Sequence, residues 1–146
     1  MYCHNPVFAQ KPPLVTKNIF ILRSTKDYAA ALETARQATA RLHTRLDMEG
    51  YRPNSQSGLT ISKVACVENG FKYPAYVARG RKTEDTNFIS IEYSNGYEGF
   101  TKGHYLVVAA IGKPGSAVVN KATSAARQWY PDAYAKRTRV WVGCML

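Results

Sequence analysis

Two runs of this 146-residue chain are apolar at consecutive rather than alternating positions, and each leads into an alanine-rich stretch. They are Asn18-Ile19-Phe20-Ile21-Leu22-Arg23 and His104-Tyr105-Leu106-Val107-Val108-Ala109-Ala110-Ile111. Strands that are apolar on both faces lie in the middle of a sheet, because a solvent-facing strand alternates. After the first run, Tyr28, Leu32, Ala35, Leu42 and Leu46 recur at helical spacing, with Lys26, Arg36, Arg41 and Arg45 largely on the remaining surface. Ser24, with Asp27 three residues on, nearly matches a capping box, and the spacing predicts a helix to about Asp47, ended by Gly50. After the second run, Gly112-Lys113-Pro114-Gly115 makes a turn, and Ser116 caps a helix from Ala117 to about Trp129 that Pro131-Asp132 breaks.

The last predicted strand, Ala135 to Val142, puts Lys136, Thr138, Val140 and Val142 on one face and Arg137, Arg139 and Trp141 on the other. Between the two strand–helix units, the polar turn Pro53 to Gly58 leads to an expected strand from Leu59 to about Val67, and Asn69-Gly70 reads as a tight turn. An aromatic insert, residues 71–100, follows. Tyr76 to Arg79 and Phe88 to Tyr93 are expected as the arms of a hairpin, with Arg81 to Asp85 at its tip. Ile89, Ile91 and Tyr93 share one face of the second arm; Ser90 and Glu92 take the other. The order of elements implies an α+β fold, a split β-α-β (ferredoxin-like) antiparallel sheet with two helices on one face and an inserted β-hairpin. The opposite face is expected to be open to solvent or a ligand. Residues 1–17, Pro-rich and aperiodic, read as a tail, and 18–146 as one domain.

Twenty Lys and Arg against ten Asp and Glu leave a net charge of +10, which attracts polyanions such as nucleic acid, anionic envelope polymers or an acidic protein surface. No stretch approaches the ~20 apolar residues of a membrane span. The three cysteines form no C-x-x-C pair and the three histidines are scattered, so no metal site is implied. In an oxidising compartment Cys66 and Cys144 are the expected disulfide; the alternative is three free thiols. Val7-Phe8-Ala9-Gln10, followed by Lys11-Pro12-Pro13, is similar to the end of a secretory signal, which points to an exported, periplasmic protein; if residues 1–10 are no signal remnant, the alternative is a cytoplasmic one.

No residue set reads as catalytic, and no cofactor is implied. Gly112-Lys113 fails the phosphate-loop pattern, with Val107 five positions before the glycine and Pro114 after the lysine. Glu92 and Glu98 are expected as solvated carboxylates rather than an acid pair. The binding signal is Arg137, Arg139 and Trp141, spaced by two on one strand face, with Tyr105 on the central strand. Guanidinium groups pair with carboxylate or phosphate, and an indole stacks on a sugar, a base or a side chain. A second aromatic-basic set, Tyr93, Tyr97, Phe100 and Lys102 with Arg79 and Arg81, is the alternative surface, for a protein partner.

The run Gly103 to Gly112, the alanine-rich helix after it and Tyr130-Pro131-Asp132-Ala133-Tyr134-Ala135-Lys136-Arg137 together resemble the SPOR family of bacterial envelope domains. The first half, with Ile19 to Leu22 and its alanine-rich helix, repeats the plan more loosely; the insert has no counterpart in the family. The resemblance implies a domain that holds peptidoglycan glycan strands on the open sheet face, through Arg137, Arg139, Trp141 and Tyr105. The second reading is an inhibitor or immunity protein that occludes an acidic toxin or cell-wall enzyme. Single-stranded nucleic-acid binding ranks third. The RNA-recognition fold shares the element plan, but the run after Lys102-Gly103 lacks its stacking aromatics.

Overall fold

The computed structural model describes residues 14–142. Six strands and three helices follow in the order β1 (Leu14–Thr25), α1 (Tyr28–Leu42), β2 (Arg52–Asn54), β3 (Gly58–Thr60), α2 (Lys63–Asn69), β4 (Ser90–Tyr93), β5 (Tyr105–Gly112), α3 (Ala117–Ala126) and β6 (Tyr134–Trp141). Four strands form one antiparallel sheet in the order β4-β5-β1-β6, so the two doubly apolar runs are its central pair. Helices α1 and α3 cover one face. Phe20, Leu22, Ile91, Val107, Ala109 and Ala110 of the sheet meet Ala31, Ala35, Ala38, Val119 and Ala126 of the helices in one core. This is the split β-α-β plan, and its inserted hairpin is β2–β3, turned by Asn54, whose side chain accepts from the backbone of Gln56 and Ser57.

Several boundaries differ from the expectation, each for a local reason. Residues Leu14 to Lys17, expected in the tail, extend β1 and pair with Trp141 to Thr138. Helix α1 is capped by Asp27, not Ser24, and ends at His43, which takes a left-handed conformation (φ 51°). Beyond it Arg45 and Asp47 exchange backbone hydrogen bonds with Ile89 at the entry to β4, so these residues cannot continue a helix. The run expected as a strand from Leu59 to Val67 is split at Ser62. That hydroxyl accepts from the Ala65 N–H and starts α2, and Gly70 (φ 70°) closes the helix where a hairpin turn was expected. Cys66, expected at a strand end, is therefore a buried helical thiol; Cys144 lies outside the described residues. The arm Tyr76 to Arg79 is no strand. Its chain crosses the sheet instead.

A separate core joins the insert to the sheet's end, with Tyr51, Leu59, Ile61 and Cys66 beneath Tyr28, Tyr93 and Tyr105. The Tyr105 hydroxyl donates to the Gly58 carbonyl at 2.8 Å, and the Tyr93 ring lies over Gly58. A Cβ at Gly58 (φ +76°) would stand 2.3 Å from that ring, whereas one at Gly115 (φ +80°) meets nothing within 4 Å. Gly58→Ala should therefore lose roughly 3 kcal/mol in urea denaturation, overpacking added to backbone strain, and Gly115→Ala about 1 kcal/mol. Equal losses would show that Tyr93 does not clamp the hairpin.

Candidate basic-aromatic surface

The second sheet face is filled, which corrects the expectation of an open one. Ile19, Ile21, Leu106, Val108, Ile111 and Val140 on this face are covered by Ala78 and Tyr97, with Tyr76 and Phe100 at the margin. The backbone passes so close at Gly80 that an added Cβ would be 2.9 Å from Ile111, Tyr97 and Val140. Among the described residues, Ile19 to Leu22 and Leu106 to Gly112 are all buried, so the middle of the sheet offers no open platform for a glycan or for base stacking.

The cover is fastened by polar groups. Glu92, expected to be solvated, is fully buried on β4, because it and Ser90 point into the insert while Ile91 points to the helices. Its Oε1 accepts from the Tyr76 hydroxyl (2.5 Å), the Tyr97 hydroxyl (2.7 Å) and the Arg79 N–H (2.9 Å). Ser90 Oγ stands 3.3 Å from the other carboxylate oxygen and accepts from Arg79 Nη1 at 2.9 Å. The remaining Arg79 donors meet Thr86 Oγ1, and the guanidinium lies 3.6 Å over the Phe88 ring. Tyr51 ties the same region down by donating to the Val77 carbonyl. Arg79 and Tyr97 are each 1% exposed, so they hold the insert on the sheet and are not available to a partner.

Burial, reinforced by the charge of Glu49, pushes the Glu92 carboxyl up to about 7, against the pull of its three donors. A folded-state value above the unfolded one stabilises the fold fully below the unfolded value of 4.5, and that contribution is lost as pH rises through 7. Stability should therefore fall by roughly 3 kcal/mol between pH 4.5 and 8 relative to Glu92→Gln, whose amide cannot ionise. Melting both proteins across that range checks this; parallel curves would mean that Glu92 does not titrate in the fold.

Of the first expected set, the residues that remain exposed lie along β6. Arg137, Arg139 and Trp141 are exposed while Thr138 and Val140 are buried, so the expected alternation holds. Arg139 is engaged, with Nη2 at 2.6 Å and Nε at 2.9 Å from Glu98 Oε1. Trp141, 41% exposed, is met by Arg81, whose guanidinium stands 5.1 Å from the indole and 5.6 Å from Phe71. Arg81 Nε is buried and has no partner among the described residues, and burial lowers the pKa of the group. The structure thus joins one residue of each expected set, Trp141 and Arg81. Tyr93 and Tyr105 pack against each other at 5.1 Å in the insert core and leave the candidate surface. Lys102 is exposed, and Phe100 lies under Lys136 Nζ at 4.6 Å. Phe71 was missed as a site residue. Its signal was its place just after the Asn69-Gly70 punctuation, but nothing local linked it to Trp141.

Three ion pairs form among the described residues, Arg45–Asp47, Lys82–Glu49 and Arg139–Glu98, and since each takes one charge of either sign the +10 excess stands. The arrangement is an αβ sandwich of the ferredoxin-like plan whose exposed chemistry is cationic and aromatic. Over 108 residues the chain is 31% identical to the poly(A) RNA polymerase gld-2 homolog A of Drosophila melanogaster, a likeness covering 70% of this chain. The chain spans about 8% of the length of that curated relative. No protein-family model and no solved structure matches the chain.

Proposed function

We propose that this chain is a binding domain for single-stranded RNA, which it grips along β6 and the adjoining insert rather than on the sheet face. The observation that carries the reading is the Arg81 guanidinium held between Phe71 and the exposed Trp141, on the strand that also displays Arg137. An exposed indole gives a base a stacking surface, and the half-buried Arg81 guanidinium beside it sets a positive charge next to the neighbouring phosphate. The +10 charge supplies the long-range attraction that RNA binding needs. The likeness to a protein named as a poly(A) RNA polymerase supports the same substrate class. In such a protein a domain of this kind would hold the RNA strand without acting on it.

Stacking on a tryptophan needs an unpaired base, so the preference should be for single strands over duplex. Fluorescently labelled oligoadenylate titrated with the protein should bind several-fold more tightly than a duplex of the same length. Trp141→Ala and Arg81→Ala should each weaken it by about tenfold, within the ~1 to 3 kcal/mol expected for one stacked base. Trp129→Ala, which removes the other indole, should not. Arg137→Ala should flatten the dependence of log affinity on log salt by about 0.7 if it neutralises one phosphate. Affinity indifferent to Trp141 and Arg81, or equal for duplex, overturns the reading.

A further inference from the structure

Helices α1 and α3 lie on the same sheet face, yet they leave a groove of about 370 Å³ between them. Its floor is Ile89 and Ala109, which are 0% and 3% exposed, and one wall is Leu42 at the end of α1 with Thr44 and Asn87 beyond it. The other wall is α3 itself, through Val118, Lys121, Ala122 and Ala125. Those four positions fall at i, i+3, i+4 and i+7, one continuous stripe of a helix, while the core-facing residues of α3 are Val119 and Ala126. The helix therefore has a second stripe with small residues at its centre, the kind of surface against which another helix can approach closely.

Charge selects the occupant. Lys121 projects from the α3 wall, Arg41 precedes Leu42 on the other side, and no Asp or Glu lines the groove, Arg45 nearby being engaged by Asp47. Arg41 is held over the rings of Trp129 and Tyr130, at 5.6 and 5.7 Å, so its charge stays near the end of α3. A second copy of this +10 chain would bring like charge to a basic rim. Single-stranded RNA finds no aromatic face among the lining residues on which to stack. We infer that the α1–α3 groove is a docking site for an acidic amphipathic helix of a partner protein, which seats one or two large apolar side chains on Val118, Ala122 and Leu42 and sets carboxylates against Lys121 and Arg41. The recognition mode is a helix laid in a groove and read at i and i+4. It is independent of the RNA surface on β6.

The test is a selection of displayed helix-forming peptides with randomised surfaces on the purified full chain at moderate salt. The enriched peptides should pair large apolar residues at i and i+3 or i+4 with flanking Asp or Glu. Their affinity should fall at least about tenfold on Ala125→Arg, which blocks the exposed rim of the wall, and roughly threefold or more on Lys121→Glu. Ala122→Trp, which fills the groove, should abolish binding, with its thermal melt recorded alongside to show that it folds. No enrichment, enrichment of neutral or basic peptides, or affinity unchanged by Ala125→Arg and Lys121→Glu overturns the inference. RNA binding by Ala125→Arg should stay within about twofold of the parent at moderate salt, since that residue is remote in sequence and element from Arg81 and Trp141.

Discussion

The architecture turns on one buried carboxylate. A four-stranded sheet with helices on one face has a second apolar face to dispose of. Here the chain covers it with its own irregular insert, which has too little regular structure to hold itself in place. Glu92 supplies three acceptor contacts in that position, to Tyr76, Tyr97 and the Arg79 backbone, and Ser90 links it to the Arg79 guanidinium. A buried acid is costly unless its hydrogen bonds are made, and here the same bonds that lower that cost fix two segments of the cover, around Tyr76–Arg79 and Tyr97. The apolar contacts of Ala78, Tyr97 and Val140 then follow from the position these bonds impose.

That closure decides where function can reside. The face on which domains of this plan offer a platform is occupied, so the exposed basic and aromatic side chains lie at the margin, on β6 and at the end of the insert. Arg81 belongs to the cover and Trp141 to the sheet, and their contact spans the two. The surface is thus a product of the same closure that removes the platform. On the opposite side the two helices meet the sheet without closing on each other, and a different kind of surface, apolar with a basic rim, remains there.

The central strands were legible because burial on both faces leaves an unbroken apolar run, and the helix after Ser116 because its hydroxyl accepts from Val119 N–H as the sequence suggests. The alternation along β6 also read correctly, which is why Arg137, Arg139 and Trp141 were expected on one face and are all exposed. The Leu59 to Val67 run failed because period-two patterning cannot distinguish a three-residue strand followed by a capped two-turn helix from one long strand. The cover failed for a deeper reason. Arg79 and Glu92 are of the types most often found at the surface, and their burial depends on tyrosines at positions 76 and 97 that no periodicity connects to them. Arg81 and Trp141 were each singled out, but 60 residues separate them and only the crossing of the sheet by the insert brings them together.

The margins of the sheet carry one more consequence. Just before β4, Ile89 is bonded to Arg45 and Asp47, and on β4 the Tyr93 N–H donates to the Tyr76 hydroxyl. On β6, the Arg139 carbonyl accepts from the Glu98 N–H, and charged side chains stand along the strand. Backbone groups that a neighbouring molecule could use to add a strand are thus partly spent within the chain at both borders. A protein built this way resists stacking into fibrils through its sheet, and what it recognises it must recognise by side chains.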